Sequence, residues 1–335
     1  MKLKKEYTIL LGIIVVLLIY LLFGTGRSKM NYSVPKLKTL DHSEITRIEV
    51  IRTDSSLILS GEGDTWEIQP QEFPADPVKI QDMLETIAGL QLTDLAAESQ
   101  DFQRYDLDED SKITVKAFQG EELLRQFDIG KTPSTYRHTF VRLTDDTRVY
   151  YAKESFRSRF ELDVDDLRDK TVMGFDKNEI SGITISQAGE TLVFTKTLAT
   201  TPQEDRAADE AGEEVAETTP EQAREEEAWV LADGRTGDKT ALEGILSTLS
   251  DLRCDEFLEG ESPAESMEPV FSVTVTGTKD YTLRIFTKQE GESGKYPALS
   301  SENPYPFLLS TYRAESIIKK EKDLFPEEDK EADIK

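Results

Sequence analysis

The chain has little of the two residue types that most often bind metals or form covalent links. Its 335 residues include one cysteine, Cys254, and two histidines, His42 and His138. A single cysteine excludes an intrachain disulfide and a zinc site built from cysteines. The two histidines lie far apart in the sequence, which is typical of surface or hydrogen-bonded residues. We therefore assign no metal ligand, and we expect Cys254 to lie in a hydrophobic core.

Positive charge is scarce outside the N-terminus. The chain has 40 lysines and arginines against 66 aspartates and glutamates, which gives a formal net charge of −26. The first 29 residues carry +4, so the remaining 306 residues carry −30. This excess of acid excludes a nucleic-acid binder, because affinity for phosphate backbones comes from lysine and arginine. It also disfavours docking of the main body on anionic lipid.

Motifs that mark catalytic or nucleotide sites are missing as well. The sequence has no Gly-x-Ser-x-Gly elbow and no Ser-x-x-Lys motif. Gly130–Thr132 resembles the end of a phosphate-binding loop, but Arg125 stands where that loop requires glycine. Asp106–Asp110 begins like a calcium loop, but its sixth and twelfth positions are Ser111 and Ala117. We assign no catalytic, cofactor-binding or metal-ligating residue, and an enzyme is the less favoured interpretation.

A hydrophobic segment near the N-terminus predicts a membrane anchor. Residues 7–26 contain no charge, and Tyr7–Phe23 is apolar on every face of a helix. With Gly24–Gly26 the segment would span about 30 Å as a helix, the thickness of a bilayer core. Three lysines precede it, which favours a cytoplasmic N-terminus. We expect a single-pass membrane protein, with residues 1–6 as a cytoplasmic tail and the main body outside the cytoplasm.

Two other interpretations of this segment were weighed. A cleaved signal peptide stays open, because Gly24–Gly26 offers the small residues that a cleavage site needs. A lipoprotein would need a cysteine directly after the hydrophobic segment, and none is present there.

The sequence also contains an internal repeat. An amphipathic helix is predicted over residues 76–91, with Asp76 as N-cap and apolar residues spaced for one helix face. Adding 162 to each number gives a second such helix, with Asp238 as its N-cap. Further matches support a duplication: Ile45, Ile48 and Val50 with Ile180, Ile183 and Ile185 (offset 135), Trp66 with Trp229 (163), Ile113 and Val115 with Val273 and Val275 (160), and Leu124, Arg125 and Phe127 with Leu283, Arg284 and Phe286 (159).

The change in offset between the first strand and the tryptophan requires an insertion in the second copy. Residues 203–227 hold eleven acidic residues, two arginines and one large aliphatic residue, Val215. Such a segment cannot bury enough apolar surface to offset the conformational entropy of the chain. We predict a disordered, self-repelling loop.

Each copy predicts an α+β fold: an antiparallel sheet with one main amphipathic helix on one face. In copy one, strands rich in β-branched and aromatic residues are expected at 45–52, 56–60, 65–69, 112–118, 123–129, 139–143 and 148–152. The predicted organisation is a tail (1–6), a transmembrane anchor (7–26), a linker (27–44), a first repeat (45–176), a second repeat with the acidic insertion 203–227 (177–325), and a charged tail (326–335).

Aromatic residues were considered as a carbohydrate-binding surface. Tyr296, Tyr305, Phe307 and Tyr312 cluster with prolines near the C-terminus. Because Tyr305–Leu309 aligns with the hairpin strand at 147–151, we expect this cluster to pack on a sheet. Trp66 and Trp229 hold equivalent places in the two copies, which favours a core role for both.

Several short motifs together carry a resemblance to a family. In chain order these are Phe73-Pro74-Ala75-Asp76, Tyr105-Asp106-Leu107-Asp108, Ile129-Gly130-Lys131-Thr132, Val149-Tyr150 and Asp166-Leu167-Arg168-Asp169-Lys170. The series resembles the bacterial envelope proteins of the family called domain of unknown function 4340. Members usually have glycine where this chain has Asp106, and aspartate tolerates a left-handed backbone better than most residues. The resemblance implies an envelope location, and by analogy a link to ABC-type export systems. It implies no catalytic residue.

These observations predict a membrane-anchored binding or scaffolding protein outside the cytoplasm, accessory to an ABC-type export system. Its expected partners are the lipid bilayer, through residues 7–26, and other membrane proteins of such a complex, but not nucleic acid. No cofactor is expected. The alternative is an enzyme acting on cell-wall carbohydrate, or a cell-wall binding module.

Overall fold

The computed structural model describes residues 13–16, 32–98, 100–200, 225–258, 263, 267–288 and 294–326. By its internal contacts the chain divides into two compact units, Met1–Arg168 (unit 1) and Asp169–Lys335 (unit 2). This division falls earlier than the predicted junction at 176–177. The reason is that the strand Thr171–Gly174 pairs with Asp251–Arg253 and so belongs to unit 2.

Unit 1 is built on one antiparallel sheet of nine strands. The strands are Arg47–Ile51 (β1), Ser56–Glu62 (β2), Thr65–Gln69 (β3), Phe73–Pro74 (β4), Leu92–Ala97 (β5), Ile113–Gln119 (β6), Glu122–Ile129 (β7), His138–Leu143 (β8) and Val149–Lys153 (β9). Their order in the sheet is β4-β3-β2-β1-β6-β7-β8-β9-β5. The first strand of the unit is therefore central, and β5 closes the far edge by pairing with β9.

The helices of unit 1 are few and short. Within the described residues between 32 and 168, two are α-helices, Pro77–Ala88 (α1) and Val164–Leu167 (α2), and three are single 3-10 turns, His42–Glu44, Phe102–Tyr105 and Arg157–Phe160. The side chain of Asp76 accepts hydrogen bonds from the backbone N–H groups of Val78 and Lys79, so α1 begins where the sequence predicted. The apolar face of α1 joins the core of the sheet through Ile80, Met83, Leu84 and Ile87.

Unit 2 repeats this strand order. Its strands are Thr171–Gly174 (β10), Gly182–Gln187 (β11), Glu190–Thr200 (β12), Glu225–Leu231 (β13), Asp251–Arg253 (β14), Glu256–Phe257 (β15), Phe271–Thr276 (β16), Asp280–Ile285 (β17), Tyr296–Ser300 (β18) and Asn303–Leu309 (β19). Eight of them form a sheet in the order β13-β12-β11-β16-β17-β18-β19-β15, and β10 pairs with β14. Strand for strand, this matches β3-β2-β1-β6-β7-β8-β9-β5 of unit 1.

The helices of unit 2 are α3 (Lys239–Leu249), α4 (Thr311–Ile317) and the 3-10 turns Lys177–Glu179 and Glu321–Leu324. Asp238 caps α3 by accepting from the backbone N–H of Ala241, at 2.7 Å. The predicted second helix and its N-cap are thus confirmed. The four apolar residues Leu242, Ile245, Leu246 and Leu249 face the core of this unit.

Strand pairing corrects part of the predicted alignment of the two copies. Val50 pairs with Val115 in unit 1, and its counterpart Ile185 pairs with Val273 in unit 2. Val115 therefore corresponds to Val273, at an offset of 158, and not to Val275. Likewise Phe127, which pairs with Val115, corresponds to Leu283, the partner of Val273, and not to Phe286.

The predicted fold class, α+β, is wrong. The described residues form mostly β structure, in antiparallel sheets of nine, eight and two strands, with few helices. The expected strands of copy one are present, but β4 and β5 were missed, as were β14 and β15. A strand such as Leu92–Ala97 lacks the alternation of buried and exposed residues that identifies strands in sequence.

The predicted transmembrane anchor and single-pass membrane location are also corrected. Within the described part of the chain, no helix has the length and apolar character needed to cross a bilayer. Of residues 7–26, only 13–16 are described, as helix. The rest of the segment, and residues 1–6, lie outside the described residues.

The predicted acidic loop and C-terminal tail lie almost wholly outside the described residues. Of the loop at 203–227, only Glu225, Glu226 and Glu227 are described, and they belong to β13. These three residues pair with β12, and for the rest of the loop disorder stays a prediction. Of the tail at 326–335, only Pro326 is described.

Candidate functional site

Four of the five short motifs that carry the family resemblance meet in two pairs, through residues of unit 1. The motif at 73–76 meets the motif at 166–170 beside the start of α1. There Ala75 and Arg168 form a β-bridge, and the backbone N–H of Asp76 donates to the carbonyl of Leu167 at 2.8 Å. The guanidinium of Arg168 lies 3.9 Å from the centre of the Phe73 ring. This first pair fixes α2 against the beginning of α1.

The motif at 105–108 meets the motif at 129–132 at the end of β7. The backbone N–H of Lys131 donates to the carbonyl of Tyr105 at 2.9 Å, and its ammonium lies 3.3 Å from Asp106 Oδ1. Gly130 is required here, because a Cβ on it would lie 2.2 Å from the Tyr105 carbonyl oxygen. This second pair fixes the segment before β6 against the sheet.

Asp106 adopts the left-handed conformation, with φ 54° and ψ 41°. It ends the 3-10 turn Phe102–Tyr105 at the position where family members usually have glycine. The expectation that aspartate would preserve this turn is confirmed.

A polar groove of about 560 Å³ opens beside the second motif pair. We call it the unit 1 groove. Its walls are the turn between β1 and β2, the segment before β6, and the turn Arg157–Phe160. The lining residues are Arg52, Thr53, Asp54, Ser55, Asp106, Asp110, Ser111, Lys112, Ile113, Arg157 and Glu161. Its volume falls within the range of small-ligand and peptide sites, but its lining is more polar than most.

The two arginines of the unit 1 groove are held by backbone carbonyls. Arg52 donates to the carbonyls of Glu161, at 2.6 Å, and Leu162, at 2.9 Å. Arg157 donates to the carbonyls of Ser111, at 2.8 Å, and Ile129, at 3.2 Å. Its Nε also pairs with the carboxylate of Glu161 at 2.7 Å. These bonds fix the shape of the groove before any ligand arrives.

Two polar atoms near the groove are buried and have no hydrogen-bond partner among the described residues. They are Arg52 Nε and Asp108 Oδ2. The other oxygen of Asp108 accepts from the backbone N–H of Asp110 at 3.2 Å. Among the described residues, no three histidine, cysteine or carboxylate side chains form a group suited to a metal ion. The aspartates at 106, 108 and 110 therefore act in turns and in the pair with Lys131.

A separate buried polar cluster lies on the sheet of unit 1. Asp128, which is 9% exposed, accepts from Thr114 Oγ1 at 2.6 Å. Arg142 donates to its other oxygen from Nε, at 3.0 Å, and from a terminal nitrogen, at 2.6 Å. The Arg142 guanidinium also lies 4.5 Å from the centre of the Phe102 ring. Each charge has its partner, and the cluster joins β6, β7 and β8.

The hairpin between β8 and β9 holds Asp146, a carboxylate whose pKa lies well below its ordinary value. Asp146 accepts from the Arg148 side chain, which is the main cause lowering its pKa from 3.8 to about 2, and from Tyr150 Oη at 2.7 Å. Burial, with the Asp146 hydrogen bond next in size, raises the pKa of Tyr150 from 10.0 to about 12. In unit 2 the corresponding residues are Asn303 and Phe307, and Asn303 keeps only the bond to the backbone two residues on.

This network predicts a dependence of stability on pH. The folded state holds Asp146 at a lower pKa than the unfolded chain, so its contribution is present above pH 4 and lost as the pH falls toward 2. After allowance for solvent screening we expect Asp146→Asn to reduce the free energy of unfolding by about 1 kcal/mol at pH 7. The difference from the parent should be much smaller at pH 2 than at pH 7 in urea denaturation, and it should vanish below about pH 2. Tyr150→Phe, which copies unit 2, should keep most of the effect of pH, and an equal loss at pH 2 and 7 for Asp146→Asn would contradict the assignment.

The residues considered from the sequence lie mostly in cores. Cys254, Trp66 and Trp229 are buried, as expected. Tyr305 packs edge-on against Phe257 at a ring distance of 6.3 Å. Of the C-terminal aromatic cluster, Phe307 is buried, Tyr296 and Tyr305 are partly buried against the core, and Tyr312 is 84% exposed. The structure does not assemble these residues into an exposed aromatic surface.

His42 is exposed at the start of the 3-10 turn His42–Glu44. His138 lies on β8, with its ring 5.6 Å from that of Tyr151. Gly130–Thr132 follows β7 without opening a helix, so it does not form a phosphate loop.

Sequence reasoning missed Arg52 and Arg157 as the residues that shape the unit 1 groove. The partners of Arg52 lie 109 and 110 positions away in the chain, and no local pattern reports such contacts. The sequence offered no signal, because Arg52 and Gln187 are one of several pairs that differ between the first strands of the two copies.

Comparisons with known proteins give one family. The family described as a domain of unknown function (DUF4340) matches residues 66–284 of the chain. No curated protein and no solved structure matches it.

Proposed function

Since the chain belongs to the family of unknown function DUF4340, we propose that it is a non-catalytic binding or scaffolding protein, and that its unit 1 groove holds a segment of a partner protein. The observation that carries this proposal is the state of the charged side chains around the groove. Arg52, Arg157, Lys112 and Lys131 are each bound to a carbonyl or carboxylate of the same unit. Arginine and lysine side chains held by such bonds fix the shape of a surface, and they are not free to take part in a reaction.

The groove is suited to binding because it is formed in advance. Its walls are fixed by the second motif pair and by the carbonyl contacts of the two arginines, so little ordering is needed when a partner docks. The exposed residues at its mouth, Thr53, Asp54, Ser55 and Asp110, offer hydroxyl and carboxylate groups for hydrogen bonds. Acidic groups at the rim favour a partner segment with basic residues.

The family resemblance suggests a finer assignment, in which the partner is a subunit of an ABC-type export system. This assignment rests on the family resemblance alone, and the geometry of the groove does not bear on it. The carbohydrate alternative has less support, because in the C-terminal aromatic cluster Phe307 is buried and Tyr296 and Tyr305 are partly buried.

Site-specific photocrosslinking tests the proposal. A photoreactive amino acid at position 54 or 110 should capture the same partner in cells, and the same residue at position 121 should not. Glu121 is a matched control because it is acidic and its side chain is 95% exposed at another turn of unit 1. The purified partner should bind the purified chain, and Asp54→Lys with Asp110→Lys should weaken binding by about tenfold or more.

Two results would oppose the proposal. One is a pattern in which positions 54, 110 and 121 capture the same proteins equally, or capture none. The other is turnover of a substrate by the purified chain that is lost in Asp108→Asn, since that residue carries the buried oxygen without a partner.

A further inference from the structure

The two units carry a turn of the same length, four residues, after their first strands, although Ala188 and Gly189 in unit 2 have positive φ and Thr53 and Asp54 in unit 1 do not. In unit 1 it is Arg52–Ser55, closed by a hydrogen bond from the Arg52 N–H to the Ser55 carbonyl at 2.8 Å. In unit 2 it is Gln187–Glu190, whose end residues pair between β11 and β12. The offset of 135 that relates β1 to β11 applies throughout the turn, so Gln187 stands where unit 1 has Arg52.

The segment that faces this turn also has a counterpart. The backbone N–H of Asp76 donates to the Leu167 carbonyl, and that of Asp238 donates to the Leu324 carbonyl, both at 2.8 Å. These bonds relate α2 (Val164–Leu167) to the 3-10 turn Glu321–Leu324 at an offset of 157. The two carbonyls that bind Arg52, at 161 and 162, therefore correspond to those of Ile318 and Lys319.

In unit 1 the side chain of Arg52 fills the space between the turn and the facing segment. In unit 2 a groove of about 230 Å³ lies at the corresponding place. We call it the unit 2 groove, and it is lined by Ile185, Gln187, Ala188, Glu190, Leu192, Lys320, Glu321 and Leu324. Within the described part of the chain, the Gln187 side chain makes no hydrogen bond and the carbonyls of Ile318 and Lys319 accept none.

The chemistry of this groove suits a long side chain with a cationic end. Its floor is apolar, with Ile185 and Leu324 buried and Leu192 half-buried. Its rim carries Glu190, which is exposed and has no ion pair within the described residues, and Glu321, whose contact with Arg235 is long at 3.9 Å. Methylene groups can pack on the floor while the charged end reaches the rim. Lys320 opposes a cation, but its side chain is exposed and free to turn toward water.

We propose that the unit 2 groove receives an arginine side chain from a partner protein, in the place that Arg52 takes in unit 1. Arginine fits better than lysine, because its planar guanidinium can donate two parallel hydrogen bonds to a carboxylate such as Glu190 or Glu321 at the rim. The charge of −30 on the 306 residues after the N-terminus attracts basic segments toward it. This groove is separate from the unit 1 groove, so the inference stands without the function proposed above.

A titration of the full chain with short peptides tests this inference. Three capped tripeptides of one size would be compared, with arginine, lysine or citrulline between two glycines. Citrulline keeps the shape of arginine and removes the charge. The arginine peptide should bind at least about tenfold more tightly than the citrulline peptide, and more tightly than the lysine peptide.

Substitutions in the unit 2 groove test whether the arginine peptide binds there. Gln187→Arg should fill it from within and lower affinity for the arginine peptide by about tenfold or more. Gln103→Arg adds the same charge at an exposed position of unit 1 and should leave affinity unchanged. Glu190→Gln combined with Glu321→Gln should weaken binding by about threefold to tenfold, because both rim charges are lost. This pair removes only surface charge, so it stays informative if Gln187→Arg does not fold.

Three outcomes would overturn the inference. They are equal affinity for the arginine and citrulline peptides, full binding by folded Gln187→Arg, and full binding by the Glu190 and Glu321 double variant. Because none of these variants alters the unit 1 groove, a failure here leaves the crosslinking result at positions 54 and 110 untouched.

Discussion

Replacing Gly130 by alanine is expected to destabilise unit 1 by about 3 kcal/mol or more, a loss typical of a new methyl group forced against a packed site. A Cβ at this position would lie 2.2 Å from the Tyr105 carbonyl oxygen and 2.9 Å from Leu107 Cγ. The nearer atom belongs to the backbone and cannot move aside as a side chain could. The second motif pair would have to separate, and β7 would lose its contact with the segment before β6.

Urea denaturation followed by circular dichroism measures this loss, and hydrogen exchange shows where it falls. Exchange should rise in β6, β7 and residues 102–111, and stay unchanged in unit 2. Gly244→Ala is the matched control, because a Cβ there meets no atom within 4 Å and the residue lies inside α3. That change should stabilise unit 2 by about 0.5–1 kcal/mol. A cost below about 1 kcal/mol for Gly130→Ala would contradict the role assigned to this contact.

Arg125→Ala is expected to cost about 2–4 kcal/mol of unit 1 stability. The guanidinium donates to the carbonyls of Ile87 and Ala88 at the C-terminus of α1, the latter at 3.1 Å, and to the carbonyl of Lys38. Burial lowers the pKa of Arg125, but arginine stays charged at neutral pH. Alanine would leave three carbonyls without this donor, and the end of the helix would lose a favourable positive charge.

The loss at Arg125 should be only partly recovered by lysine, whose single ammonium cannot reproduce the two-armed contact. Arg104→Ala is the control for removing an exposed arginine from the same unit and should change stability by less than about 0.5 kcal/mol. Hydrogen exchange should rise at the C-terminus of α1 and at Leu40, whose backbone N–H also donates to the Ala88 carbonyl. Equal stability of Arg125→Ala and Arg104→Ala would show that the guanidinium contributes nothing to holding α1.

Local features of the fold could be predicted because their causes are local. Asp76 and Asp238 cap their helices by bonds to backbone groups two or three residues on, and the spacing of apolar residues along α1 reports its buried face. The strand from Thr65 to Gln69 was predicted with its observed bounds. Nothing comparable marks β5, whose pairing with β9 joins positions about 60 residues apart.

The error in aligning the two copies has a geometric cause. Side chains alternate between the two faces of a strand, so a shift of two residues returns every residue to the same face. Aligning Val115 with Val275 therefore satisfies the hydrophobic pattern as well as the correct partner, Val273, does. Only the pairing of β6 and β16 with the first strands of their units separates the two alignments.

The candidate sites could not be predicted, because both depend on contacts between distant parts of the chain. In the sequence, Arg52 is one of 40 lysines and arginines, and nothing distinguishes it from the others. Only the structure shows that its guanidinium donates to the carbonyls of residues 161 and 162. The unit 2 groove is defined by a glutamine, a residue with no chemistry that would attract notice in a sequence. Its interest comes only from comparison with the arginine at the same place in unit 1.

The common strand order also bears on how the chain reaches its native state. In each sheet the first strand of the unit lies between its hairpin partner and a strand that is synthesised much later: β1 lies between β2 and β6, and β11 lies between β12 and β16. The buried residues of β1 and β11 alternate in the same way, so either strand could pair with the neighbours of the other. Tandem domains with interchangeable elements are prone to such cross-pairing.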